Sequence, residues 1–288
     1  MSPRFLPRVL AAALLLAPVA ALGQDPRLYF ESDGSGPAVV FVEDWANDTS
    51  IWFLVLPPMR GRFELLRYDL RGQGRSEIAA NGDYSLRAHR EDLLRALDSL
   101  GVERAHLVGA GFGGTIALAF AVEHPERALS VSLINPHVAW TEQGREEWGR
   151  FLEGYERAGR PPIADYASVI VGRWFGSRFP DREPWVVPFV DLMLRRQASA
   201  PLVESLRAWL GTEVAPDEAS PVPTLLLWGE RVGPPVEERR LHRGRIARRA
   251  AVEDAGWVPH VEAPRETARL LLDFLRSVEA PAVEEGAR

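Results

Sequence analysis

Residues 107–114 read Leu-Val-Gly-Ala-Gly-Phe-Gly-Gly, with four glycines in six positions from Gly109 to Gly114. A strand-like run from Arg104 to Val108 enters this stretch, and a small-residue run with helical character, Thr115 to Glu123, leaves it. Glycine adopts positive φ readily and lets backbones approach closely. The segment therefore predicts a strand that turns sharply into a helix. Such a unit suits a parallel sheet, because only a crossover connection brings the chain back for the next parallel strand.

The rest of the chain repeats this alternation. Leu28 to Glu31 and Ala38 to Val42 predict strands around the turn Gly34-Ser35-Gly36-Pro37, and Phe63 to Asp69 predicts a third. Leu86 to Leu100 has the apolar spacing of an amphipathic helix stopped by Gly101. His106 to Gly109, Leu129 to Asn135, Thr224 to Trp228 and Ala250 to Asp254 predict further short strands, and Glu266 to Val278 a last helix. The expected fold class is α/β: a mostly parallel sheet covered by helices on both faces. The interval 136–220, rich in Trp, Arg and Pro, breaks the rhythm. It predicts a helical cap, with helices near 141–159 and 186–210, inserted into a core formed by 24–135 and 221–278. The acidic, small-residue stretch 279–288 reads as a loose tail. There is no internal repeat.

The N-terminus has the pattern of a secretory signal over residues 1–23. Arg4 and Arg8 supply the positive region, Val9 to Leu22 the apolar stretch, and Ala21-Leu22-Gly23 a small-x-small cleavage site ahead of Gln24. About 14 apolar residues is short for a membrane span. The expectation is a secreted or periplasmic protein with no stable span after cleavage. Losing two of the 34 basic residues, all of them Arg, from a chain with 40 acidic ones moves the net charge from −6 to about −8. That balance argues against nucleic acid or anionic membrane as a partner. With no Cys, thiol chemistry and Cys-based metal sites are excluded.

Five segments in order resemble the α/β-hydrolase family over roughly residues 27–278. They are Gly34-Ser35-Gly36-Pro37; Tyr68-Asp69-Leu70-Arg71-Gly72-Gln73-Gly74-Arg75-Ser76; His124-Pro125-Glu126-Arg127 followed by Leu133-Ile134-Asn135-Pro136; Pro223 to Glu230; and the segment holding Gly256, Pro259, His260, Glu262 and Pro264. The resemblance implies the hydrolase fold with a cap. It does not establish function.

At the positions where the family carries its chemistry, this chain departs. The resemblance puts the nucleophile of G-x-S-x-G at Gly111, the catalytic acid at Val232 and the catalytic His at Trp257, so no triad position is intact. Where the family has His-Gly beside the oxyanion hole, this chain reads Glu43-Asp44. No other G-x-S-x-G occurs. Neither Asn135 nor His137 is an acid that could substitute after the strand ending at residue 135. His260 reads as a loop hydrogen-bonder. His89, His106, His124 and His242 read as surface or turn residues, and Thr115 as packing. The same glycines also spell Gly109-x-Gly111-x-x-Gly114, the dinucleotide fingerprint. Two or three strands precede it, however, and Asn135 stands where a ribose-binding acid belongs.

The expected function follows from these departures. A pocket between sheet and cap, with candidate lining residues Glu43, Asp44, Trp45, Gly111, Phe112, Trp140, Trp257 and His260, would bind a small, partly apolar and cationic ligand through ring faces and carboxylates. The bland alternative is that Trp257 fills the pocket. A hydrolase with an unrecognised site and an exported scaffold protein also stay open. No cofactor and no metal are expected, and the protein partner is unknown.

Overall fold

The computed structural model describes residues 25–137, 140–175, 179, 181, 183–212, 220–234 and 246–279. The expected signal segment 1–23 and the tail after Glu279 lie outside the described residues, as does His242. Within them, seven strands form one sheet: β1 (Phe30–Gly34), β2 (Ala38–Val42), β3 (Glu64–Tyr68), β4 (Ala105–Ala110), β5 (Ala128–Ile134), β6 (Thr224–Gly229) and β7 (Ile246–Val252). Their order across the sheet is β1-β3-β2-β4-β5-β6-β7, with β1 antiparallel to β3 and every other pairing parallel.

Every residue of β2 and β4 is buried, and all of β5 but Leu129. Successive strand residues point to opposite faces, so both faces of the sheet centre are covered. The edge strand β7 was expected only from Ala250. It begins at Ile246 and alternates half-buried with exposed residues, carrying Arg248 and Arg249 through its middle. Charges on an edge strand discourage pairing with another sheet, and they also hide the strand from a hydrophobicity reading.

The first helices are α1 (Leu86–Ser99) and α2 (Gly111–Glu123). Residues 111–121 of α2 are all buried, so this helix is apolar around its whole circumference. Its close seating explains two of the glycines. A Cβ on Gly109 would lie 2.3 Å from the Gly113 carbonyl oxygen, and one on Gly113 would lie 2.2 Å from that of Val42. The cap interval holds α3 (Glu142–Arg157), α4 (Ala167–Phe175), α5 (Val186–Arg195) and α6 (Ser199–Leu210). The stretch expected as helical near 186–210 is two helices, and α4 was not foreseen. A one-turn helix α7 (Pro259–Glu262) and the amphipathic α8 (Pro264–Glu279), which packs on β5 and β7, complete the fold. No helix among the described residues is long and apolar enough to cross a membrane.

Two histidines expected at the surface are fully buried. His89 sits edge-on against Phe112, with ring centroids 5.0 Å apart. His106 lies between Ser130, whose Oγ is 2.8 Å from its Nδ1, and Glu279, whose Oε1 is 2.9 Å from its Nε2. This string ties the end of α8 to β4 and β5. Its serine is completely buried at the start of β5, away from the ends of the strands that lead into the cap.

The turn 69–76 is held from below by a buried ion pair. Arg71 donates from Nε to Asp92 Oδ2 (2.6 Å) and from Nη2 to Asp92 Oδ1 (2.9 Å), and also to the carbonyls of Asp83 and Ala88. Burial pushes the Asp92 carboxyl above its ordinary range, against the pull of Arg71 and Arg95. Removing one member of such a pair leaves an uncompensated buried charge. Asp92→Ala is therefore expected to lower the unfolding free energy by about 3–5 kcal/mol, while Arg71→Met combined with Asp92→Leu loses less. Urea denaturation of the three proteins checks both outcomes.

Candidate functional site

Gly111 is the first residue after β4 and the first of α2, with φ of +48°. An alanine or serine there would hold a left-handed backbone that costs a residue with a Cβ about 1–2 kcal/mol. The space its side chain would need is already taken. A Cβ built on Gly111 lies 2.2 Å from Cγ, Oδ1 and Oδ2 of Asp44.

Asp44 follows β2, and its carboxyl reaches over the start of α2. Its Oδ1 accepts from the backbone N–H of Phe112 (2.7 Å) and from its own successor Trp45 (2.8 Å). In a hydrolase of this fold, two N–H groups at these places, one after the nucleophile and one in the preceding strand loop, are aimed at the developing oxyanion. Here one protein oxygen takes both. Burial pushes the Asp44 carboxyl up to about 6, against the lowering effect of the two N–H donors. No cation pairs with it among the described residues.

The loop that carries Asp44 is fixed by its neighbours. Ala46, at φ of +63°, donates its N–H to Gln73 Oε1 (2.8 Å), and Leu70 donates to Glu43 Oε1 (2.7 Å). Glu43 therefore faces the turn 69–76, not the cap. Burial and the nearby Asp69 raise its carboxyl well above the usual range.

Above Asp44 lies a cavity of about 480 Å³ between sheet and cap, walled in large part by tryptophans: Trp45, Trp140, Trp148, Trp174, Trp209 and Trp257. Four of the six come from the cap interval. Trp45 and Trp140 spend their indole N–H groups on the carbonyls of Leu202 (2.8 Å) and Trp209 (3.0 Å), which anchors the wall. His137 also lines the cavity. Its ring is stacked between Trp140 and Trp257, both at 5.3 Å, and burial lowers its pKa to about 4, so it is neutral at pH 7. Thr115, expected only to pack, donates its hydroxyl to the His137 carbonyl (2.6 Å).

Trp257 does not fill the cavity. It is 45% exposed at the cavity wall. Asn135, at φ of +41°, places it: the Asn135 amide donates to the carbonyls of Gly256 (3.0 Å) and Trp257 (2.8 Å) and accepts from Gly229 N–H (3.3 Å). Asn135 is thus a clamp joining the ends of β5 and β6 to the loop 255–258.

Of the expected lining residues, Asp44, Trp45, Trp140 and Trp257 come together on the cavity wall, with Val232 beside them. Glu43, Gly111, Phe112 and His260 are not on it. Phe112 is sealed between His89 and Trp209. His260 is no loop hydrogen-bonder: it is buried with its ring stacked on Trp52 at 4.5 Å, and neither ring nitrogen has a partner among the described residues. Burial lowers its pKa to about 3. Sequence reasoning missed His137, Asn135, Glu147 and Arg173 as site residues. The crowding of tryptophan in the cap was the available signal for that wall.

Gly111 and Asp44 exclude each other's alternatives, so their substitutions should couple. Gly111→Ala should destabilise through both backbone strain and collision with Asp44. With Asp44→Ala already present only the strain remains, giving a coupling of about 1–3 kcal/mol in a double-mutant cycle read by chemical denaturation. Asp44 should also leave a mark in pH dependence. Its folded pKa of about 6 exceeds its ordinary value, so its contribution to stability is fully present below about pH 4 and lost as pH rises through 6. The stability of the native protein relative to Asp44→Asn should fall across that window and stay flat above it.

Comparison with known proteins agrees with the fold. A family model described as alpha/beta hydrolase fold matches residues 37–179. The chain is similar to 3-oxoadipate enol-lactonase 1 of Acinetobacter baylyi, 25% identical over 85% of this chain and 91% of that one. It is similar to a pimeloyl-[acyl-carrier protein] methyl ester esterase of Methylococcus capsulatus, 28% identical over 87% and 99%. Among solved structures, an enol-lactonase from Burkholderia xenovorans LB400 superposes with a TM-score of 0.77 at 26% identity, over 87% of this chain and 97% of that one. With its parallel sheet, glycine elbow and inserted cap, the chain belongs to the α/β-hydrolase fold family.

Proposed function

We propose that this is an exported α/β-hydrolase-fold protein without Ser-His-Asp chemistry, which holds a small, partly apolar ligand in the cavity under its cap. The observation that carries this reading is the Asp44 carboxylate seated on the N–H groups of Trp45 and Phe112, in the volume a nucleophile at 111 would need. A substrate carbonyl has no free donors there and would meet negative charge. The cavity is open, about 480 Å³ in size and lined with rings, which suits capture of a small molecule.

Hydrolysis at an unrecognised site is the second reading. The names of the relatives favour it, as does the presence of Asp44 and a neutral His137 on one cavity wall. In that case Asp44 would serve as base or nucleophile. The two readings separate in one assay. On the binding reading, turnover of aryl esters and of a simple enol-lactone stays at the level of heat-denatured protein from pH 5 to 8, and small apolar compounds raise the melting temperature. Turnover above that control which disappears in Asp44→Asn would establish the second reading instead. Gentle purification from the exported fraction followed by mass spectrometry identifies any retained ligand, and absence from that fraction would remove the export.

A further inference from the structure

The cavity wall carries three charged side chains, and they are not equivalent. Glu147 accepts from the side-chain amide of Gln143 (3.0 Å), and the guanidinium of Arg173 is 4.0 Å away. Arg173 itself sits over the Trp148 ring, 5.0 Å from its centroid. These two charges face each other within the cap. Asp44 has no such counter-charge. Its Oδ1 is held by two neutral N–H groups, and among the described residues Oδ2 has no donor, although Asp44 forms part of the cavity wall. A carboxylate without a counter-charge therefore lines a chamber walled in large part by tryptophans.

Indole faces carry negative potential and attract cations, each contact contributing about 0.5–2 kcal/mol. The placement of Arg173 over Trp148 is such a contact already made by the protein's own cation. Some of the wall's hydrogen-bonding groups are already taken, while the buried indole N–H of Trp209 has no partner among the described residues. The Asn135 amide and the indole N–H groups of Trp45 and Trp140 are spent on backbone partners. His137 is stacked between two rings and uncharged at neutral pH. An anion would face Asp44 with only Arg173, already beside Glu147, to receive it. A neutral polar ligand would leave the Asp44 charge unmatched. A cation with an alkylated surface needs only what the wall offers: one counter-charge and several ring faces.

We propose that the cavity binds a small alkylated ammonium ion, tertiary or quaternary, with its charge against Asp44 and its alkyl groups against the tryptophan wall. This rests on the reading of the cavity as a ligand site, and it names the ligand's class. It also gives Asp44 a role beyond occupying the elbow, as the negative pole of the binding chamber.

Choline and its neutral isostere 3,3-dimethylbutan-1-ol have nearly the same shape and differ in charge. Titration calorimetry on the full exported chain should show choline binding about tenfold or more tighter than the isostere. Asp44→Asn keeps an oxygen to accept both N–H groups and removes the charge. It should lose about tenfold in choline affinity and leave the isostere unchanged. Glu204→Gln, at a half-exposed carboxylate paired with Arg207 and off the cavity wall, should leave choline affinity unchanged. Trp257→Ala, at a half-exposed position on the cavity wall, should weaken both compounds. Thermal unfolding of each variant confirms that it is folded. Equal affinity for choline and the isostere, or choline affinity indifferent to Asp44→Asn, overturns the proposal and leaves the ligand site standing. If neither these two compounds nor any member of a small apolar set binds, the proposal and the ligand site fall together.

Discussion

Much of this molecule turns on one oxygen atom. Oδ1 of Asp44 accepts two backbone N–H groups that come from different segments, one following β2 and one opening α2. Both donors are orphans of local structure: the first N–H groups of a helix have no intrahelical partner, and a buried donor left unpaired costs about 1–3 kcal/mol. A charged acceptor at a helix N-terminus also meets the positive end of the helix dipole. Ala110, the residue before α2, makes no side-chain cap hydrogen bond, so Asp44 supplies from a distance what a local cap would have supplied. The carboxyl can do this only because residue 111 has no side chain.

The surrounding framework serves that arrangement. Arg71, locked to Asp92, fixes the turn 69–76, and that turn receives the N–H of Ala46 and supplies one to Glu43. The loop 43–46 is therefore held on both sides, and Asp44 has little freedom to leave. Across the cavity, Asn135 performs the matching task for loop 255–258. The crossing there is close enough that a Cβ on Gly229 would lie 1.9 Å from the Gly256 carbonyl oxygen. The two loops that carry Asp44 and Trp257 are thus each held by side-chain-to-backbone hydrogen bonds within the fold.

The fold was legible in the sequence where burial made strands and helices uniform. β2 was read to the residue, and β4, β5 and β6 to within one residue at nearly every end, because apolar runs between turn residues leave little ambiguity. β7 was cut short because an edge strand with two arginines lacks that uniformity. At the site, the substitutions at 44, 111, 232 and 257 could be aligned with a motif, so they could be read. What could not be read was direction. Adjacent carboxylates Glu43 and Asp44 point to different places, and only the fold shows that one is buried against Leu70 while the other enters the elbow. His137 and His260 are the converse. Both stand between Pro and Val in sequence, which carries no sign of whether the ring will face a cavity or be shut against Trp52.

The string of buried Ser130 and His106 with the exposed Glu279 bears on how catalytic sites are recognised. Its oxygen-to-nitrogen separations of 2.8 and 2.9 Å are those of a working relay, and its chemical order of hydroxyl, imidazole and carboxylate is complete. A search that matched three side chains by distance alone would score this protein as a serine hydrolase and point to the wrong end of the sheet. What such a match omits is strand polarity. In open α/β sheets ligands bind outside the carboxyl ends of the strands, whereas Ser130 and His106 lie near the amino ends of theirs, in the dry interior. Direction along the strand is thus a fourth coordinate that any three-point template needs.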